Sequence, residues 1–304
     1  MNVGENITLK IDGVFSGGGV KAFAFIGVLE SLANYRLSLE RVAGTSAGAI
    51  IAALVAAGYN ATELKEHLMS LHLQKFLDPP TLVKRFSLSK WLFLFYKLGL
   101  NKGDQLETWL TNQLAKKGIQ TFGDLRENYL KVITTDLTYE RLVVIPDDLS
   151  RYYGIDPNTF SVAQAVRMSA GFPYVFMPRS LLGSKGRKIL FVDGGLVSNF
   201  PLWVFESDHT RQLRPTLGVK LGQPKAQSER QPIRNIFELI QAMFATMKQA
   251  HDMRYLSQTD RKNVIFVPTM NISPVNLTIS KEQRLALIEK GRLKADKFLK
   301  RWPV

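Results

Sequence analysis

Along the chain, short apolar runs bounded by turn residues alternate with segments whose apolar positions recur every three to four residues. ITLKIDGVF (7–15) leads into KAFAFIGVLESLANY (21–35), then LERVAG (39–44), then AGAIIAALVAAG (47–58), closed by Gly58. That order predicts a parallel sheet flanked by helices. Asn60 with Glu63, Asp104 with Glu107, and Ser161 with Gln164 have capping-box spacing and mark further helix starts. YLKVITTD, RLVVIP, KILFVD, TLGVKL and NVIFVP read as strands, and long helices are expected near 234–256 and 281–301. No internal repeat and no low-complexity linker interrupts the pattern, so residues 1–304 are expected to form one domain.

Two stretches break the rhythm. In KRFSLSKWLFLFYKLGLNKG (84–103), Trp91 to Tyr96 form an unbroken apolar and aromatic run with cations on both sides, too short to span a bilayer. It suits a lid, a wall of a pocket or a segment resting at a membrane interface. GQPKAQSERQP (222–232) is polar, carries two prolines and reads as a surface loop.

Composition narrows the choice. With 304 residues, 45% apolar and 22% charged, the chain can bury a full core. Forty Lys and Arg against 26 Asp and Glu give a net charge of +14, which draws the protein toward polyanions. The absence of cysteine excludes disulfides, thiolate metal sites and a cysteine nucleophile. The N-terminus lacks a secretory signal and no 18-residue uncharged run occurs, so the expectation is a soluble, cytoplasmic protein.

Three motifs carry chemistry. Gly44-Thr45-Ser46-Ala47-Gly48 lies between a short strand and a strongly helical run, the context of a nucleophile elbow. The bare pattern arises by chance in about one 300-residue chain in ten, and taken alone Ser46 reads equally as a helix N-cap. Ser16-Gly17-Gly18-Gly19-Val20-Lys21 also joins a strand to a helix, and three glycines let backbone N–H groups converge on an anion. It fits an oxyanion loop beside Ser46. It also fits a dinucleotide fingerprint, Gly17-x-Gly19-x-x-Ala22 with Glu40 as the ribose-binding acid, which would make the chain an oxidoreductase. Sheet order decides between them. FVDGGLVSNFP places Asp193 just beyond a strand, where a carboxylate can accept a serine proton. By itself it is an ordinary Asp-Gly turn.

Together, in this order, the motifs resemble the patatin-like phospholipase family: the glycine-rich loop Gly17 to Lys21, the elbow Gly44 to Gly48, and Asp193-Gly194-Gly195. Ser169-Ala170-Gly171-Phe172-Pro173 resembles the family's Ser-Ala-x-x-Pro block, and Asn199 with Pro201 follows the aspartate. The resemblance covers about residues 8 to 205. It implies a three-layer αβα sandwich with a mostly parallel central sheet. It also implies a Ser46–Asp193 dyad hydrolysing acyl esters of phospholipid or lysophospholipid with no metal and no cofactor. Gly17, Gly18 and Gly19 would be the oxyanion donors and Lys21 the anion- or substrate-binding cation. The loop departs from the family's Gly-Gly-x-Arg-Gly: Lys21 keeps the charge, and Ala22 narrows the loop's freedom.

The four histidines, His67, His72, His209 and His251, fall outside the motifs. His209 is the candidate third member if the order Ser, acid, His of α/β-hydrolase triads applied. Residues 281–301 hold eight basic and three acidic residues, a local +5, read as a solvated face over a core stripe of Leu285, Ile288, Ala295, Leu299 and Trp302. The cation-flanked aromatic run makes an anionic membrane surface the expected partner, with peripheral association. No readable nucleic-acid motif is present, so no nucleic-acid partner is expected. FELIQAMFATMKQAHDM suits core packing or a helix contact between two copies in a homodimer. A third functional reading is a membrane- or nucleotide-regulated interaction protein whose hydrolase site is vestigial.

Overall fold

The computed structural model describes residues 8–81, 94–183, 186–205, 214–222, 233–234, 239, 242–243, 245–247, 260–269 and 272–302. Most of the helix expected near 234–256, the polar loop beyond Gly222, residues 84–93, His209 and His251 lie outside them. The strands are β1 (Leu9–Phe15), β2 (Leu37–Thr45), β3 (Gly99–Asn101), β4 (Leu130–Asp136), β5 (Arg141–Ile145), β6 (Tyr174–Phe176), β7 (Arg179–Leu182), β8 (Lys188–Asp193), β9 (Thr216–Leu221) and β10 (Val264–Val267). The α-helices are α1 (Phe23–Asn34), α2 (Ala47–Ala56), α3 (Ala61–Met69), α4 (Asp104–Lys116), α5 (Val162–Ser169) and α6 (Lys281–Leu299).

Among the described residues, eight strands form a central sheet in the order β10-β9-β1-β2-β4-β8-β7, with β5 also paired to β4. The pairs from β10 to β4 are parallel; β5 and β8 run antiparallel to β4, and β7 runs antiparallel to β8. Successive strand residues face opposite sides. Ile11, Phe15, Val42 and Val132 thus join one core with the buried faces of α1 to α6, while Val14, Ala43 and Ile133 join a second with Phe200, Leu202, Val204 and Phe205. All seven residues of β4 are buried, as expected of a strand covered on both faces.

The strands expected from the pattern, and the helices expected at 21–35, 47–58, Asn60, Asp104, Ser161 and 281–301, are present among the described residues, but two local details differ. Asp104 is the first residue of α4 rather than its cap: Gly103, in the left-handed region at φ 72°, is the N-cap. Asp78, distant in sequence, accepts the Gln105 N–H at 3.0 Å and the Gly103 N–H at 2.5 Å. On α6, Leu285 is 42% exposed and Leu287 takes the core position, because Arg284 is buried and turns the apolar stripe by donating to the Leu68, Met69 and Leu71 carbonyls at the end of α3. Gly27 of α1 and Gly291 of α6 let the two helices touch backbone to backbone: a Cβ on either would strike the other helix's carbonyl, Ile288 or Ala24.

Candidate active site

β2 ends at Thr45, and Ser46 turns the chain into α2 with φ 55° and ψ −125°, a strained conformation for a residue with a side chain. Glycines make the turn sterically feasible: a Cβ on Gly44 would strike the Gly48 carbonyl, and one on Gly48 would strike the Phe15 carbonyl. The Ser46 N–H donates to Ser169 Oγ at 2.8 Å, and Ser169 Oγ donates to the Ile133 carbonyl at 2.5 Å, so β4 and α5 brace the elbow. The hydroxyl of Ser46 makes no N-cap bond to α2. It donates to Asp193 Oδ2 at 2.7 Å.

That contact follows from strand pairing. Val132 and Ile133 of β4 pair with both β2 and β5, so β2 and β5 occupy opposite edges of β4. Thr134 to Asp136 pair with both β5 and β8, which puts β8 on the β2 edge. β2 runs parallel to β4 and stops at Thr45 opposite Ile133; β8 runs antiparallel and stops at Asp193 opposite Thr134. The two strands therefore meet head to head on one edge of β4, bringing Ser46, just past the end of β2, and Asp193, the last residue of β8, together across 147 positions of sequence. Asp193 is 4% exposed, its N–H donates to the Gly171 carbonyl at 3.0 Å, and its Oδ1 accepts the Gly195 N–H at 2.7 Å. The Asp-Gly turn is real as well: one carboxylate oxygen closes the turn while the other receives the serine.

β1 lies beside β2 in parallel register, Phe15 opposite Gly44, so the glycine loop leaves the sheet next to Ser46. Gly17 packs between Asn199 and Ser46; its N–H donates to the Asn199 carbonyl at 2.9 Å, and Asn199 Nδ2 donates to the Gly17 carbonyl at 3.4 Å. Gly17 is thus a junction whose amide is engaged, whereas Gly18 and Gly19 both line the cavity beside Ser46. Gly19, at φ +56°, sits against the Pro274 carbonyl, which also accepts the Val20 N–H at 3.0 Å. Lys21 is half-buried and is not a wall of the cavity.

The cavity measures about 320 Å³. Ile50, Leu68, Leu71, Phe76, Leu106 and Trp109 are among its walls, and Asp193 is its one ionisable lining side chain among the described residues. A mostly apolar space with a few converging polar groups is the usual form of a site for an apolar ligand. Arg167 secures one wall. Buried on α5, it donates to the carbonyls of Lys102 (2.8 Å), Met177 (3.0 Å) and Gly103 (3.1 Å) and lies over the Phe176 ring, holding β6 in place. Burial, with a smaller contribution from Arg179, lowers its guanidinium to about 10.

The dinucleotide alternative fails on geometry. Glu40 lies in the first half of β2, away from the glycine loop, and pairs with Lys10 at 3.4 Å and Arg126 at 2.9 Å. His67 stacks edge-on against Tyr59, and neither it nor His72 lines the cavity. Sequence reasoning quoted Ser169 and Asn199 without giving them roles, and it missed Pro274. No local signal marks that proline, which reaches the loop only because β10 joins the sheet.

Comparison with known proteins agrees with this fold. A family model described as patatin-like phospholipase matches residues 13–206. The uncharacterised protein YqhO of Bacillus subtilis (strain 168) is 42% identical over 294 residues, 97% of this chain and 99% of that one. A cUMP-AMP-activated phospholipase of Escherichia coli is 26% identical over 212 residues, 65% of this chain and 58% of its own. Among solved structures, VipD from Legionella pneumophila aligns with 96% of this chain and 67% of its own at a TM-score of 0.58 and 20% identity. ExoU, in the ExoU–SpcU complex of Pseudomonas aeruginosa, aligns with 97% and 52% at 0.51 and 20%. At these identities the structural likeness speaks to the fold.

Proposed function

The chain belongs to the patatin-like phospholipase family, and from that premise we propose that it is a lipid acyl hydrolase of the phospholipase A or lysophospholipase type, working through an acyl-serine intermediate on Ser46. The observation that carries this reading is the 2.7 Å hydrogen bond from Ser46 Oγ to Asp193 at the wall of an apolar cavity.

The ester's acyl chain lies among the aliphatic and aromatic walls, its carbonyl carbon beside Ser46 Oγ. The serine oxygen attacks as its proton passes to Asp193, and the carbonyl oxygen becomes an oxyanion facing the Gly18 and Gly19 amides. An exposed carboxylate is a weak base for an alcohol. Excluding water and aiming preset N–H dipoles at the oxyanion offset that weakness, each donor contributing about 3 kcal/mol at the transition state. Collapse of the tetrahedral species breaks the ester bond, and the proton on Asp193 passes to the departing alcohol. A water then repeats the sequence on the acyl-serine, with Asp193 again taking and returning the proton, and releases the fatty acid. None of these steps calls on a metal or cofactor.

An anionic membrane surface is the proposed place of action. The net charge is +14, and Phe95 and Tyr96, in the described part of the 84–103 stretch, are 76% and 72% exposed. Val275, itself 42% exposed, lines the cavity and gives it an apolar rim. The test is product analysis. Incubation with vesicle phospholipid, lysophospholipid and triglyceride, followed by mass spectrometry, should show free fatty acid from the phosphoglycerides. Release of a phosphorylated headgroup, or no turnover of any of the three, would overturn the assignment.

A further inference from the structure

A second concavity, of about 630 Å³, lies at the β10 edge of the sheet and shares no lining residue with the acyl cavity. Its walls are β10 and the last turns of α6, joined where Trp302 Nε1 donates to Asn263 Oδ1 at 2.9 Å. Lys294 and Lys297, three residues apart on α6, face it together with Arg301 just past the helix end, and Lys262 also lines it. Among the described residues no Asp or Glu lines the groove. Among the described residues none of these four cations forms an ion pair, whereas Arg292, two residues before Lys294, is bonded to Glu289 at 2.6 Å and lies 3.8 Å from Asp296.

Like charges three and four residues apart destabilise a helix. The C-terminal macrodipole offsets the equivalent of roughly half a unit charge, less than Lys294, Lys297 and the adjoining Arg301 bring to that end of α6. The groove also has aromatic faces: Phe298 and Phe266 are half-buried, and Phe298 stands 6.0 Å from Trp302. Cations converging on vicinal phosphates beside partly open rings is the arrangement that binds a phosphorylated ligand carrying a planar base.

We propose that the groove between β10 and α6 is a binding site for a soluble nucleoside polyphosphate, its phosphates held by Lys262, Lys294, Lys297 and Arg301 and its base against Phe298. The test is calorimetric titration of the full chain with ATP, in parallel with inorganic triphosphate and with phosphatidylglycerol vesicles as a competitor. ATP should bind saturably at one site, triphosphate more weakly, and vesicles should not displace ATP. Lys294→Glu with Lys297→Glu removes two charge-assisted contacts and should weaken binding by about tenfold or more. Both positions are exposed, so the variant should keep its circular dichroism spectrum and thermal midpoint. Arg187→Glu with Lys188→Glu, at the opposite edge of the sheet, makes the same change in net charge and should leave binding intact. No saturable binding, equal loss in the two variants, triphosphate binding as tightly as ATP, or displacement by vesicles would each overturn the proposal.

Discussion

Ser46→Ala is expected to abolish fatty-acid release, lowering turnover by about 10⁴-fold or more while the far-ultraviolet circular dichroism stays that of the wild type. The hydroxyl is the only atom removed. The backbone bond from the Ser46 N–H to Ser169 remains, so the elbow keeps its place. The conformation at this position adds a companion expectation. With φ 55° and ψ −125°, Ser46 holds strain of about 1 to 3 kcal/mol that glycine would not bear. Ser46→Gly should therefore be as inactive as the alanine variant but unfold a few degrees higher, an exchange of stability for activity that marks position 46 as functional. A glycine variant that unfolds at a lower temperature would contradict the strained elbow.

The second large effect is expected at Asp193. Asparagine has the same shape, and its Oδ1 can still accept the Gly195 N–H that now lies 2.7 Å away, so the turn survives. Where Oδ2 accepts the serine proton at 2.7 Å, however, an amide nitrogen would offer protons instead. Turnover of Asp193→Asn should fall by about 10³- to 10⁴-fold with an almost unchanged thermal midpoint. If the carboxylate only closed the turn, asparagine would serve equally well and activity would stay within a few-fold of the wild type. Urea unfolding beside the kinetic assay separates the two cases.

Much of this site was legible in the chain because its parts end regular elements. β1, β2 and β8 each announce themselves by apolar runs, and the glycines or aspartate that follow them are where chemistry collects in α/β folds. What a linear pattern could not supply was the head-to-head meeting of β2 and β8 on β4, which depends on one strand entering antiparallel and stopping one residue beyond the other. Nor could it show that the Gly17 amide is engaged by Asn199, since that bond spans 182 residues. β3, β6 and β7 are three or four residues long and lack a periodic signal. β3 and β6 pair only because tertiary contacts such as those of Arg167 hold them together. The stripe on α6 was misread at Leu285 because a basic residue, Arg284, took a buried place by binding carbonyls, an exception that hydropathy cannot foresee. The cavity walls from α3 and α4 carry no motif: their Leu and Trp residues look like any core until the helices are placed.

The central claim is that Ser46 is made nucleophilic by Asp193, and covalent labelling tests it most directly. Wild-type protein and Asp193→Asn would be incubated with a fluorophosphonate, digested, and mapped by peptide mass spectrometry. The expected result is a single adduct on Ser46, with the nearby Ser16, Ser169 and Ser198 unmodified and labelling of the asparagine variant slowed by orders of magnitude. An adduct on another serine, no adduct, or wild-type labelling of the asparagine variant would contradict it.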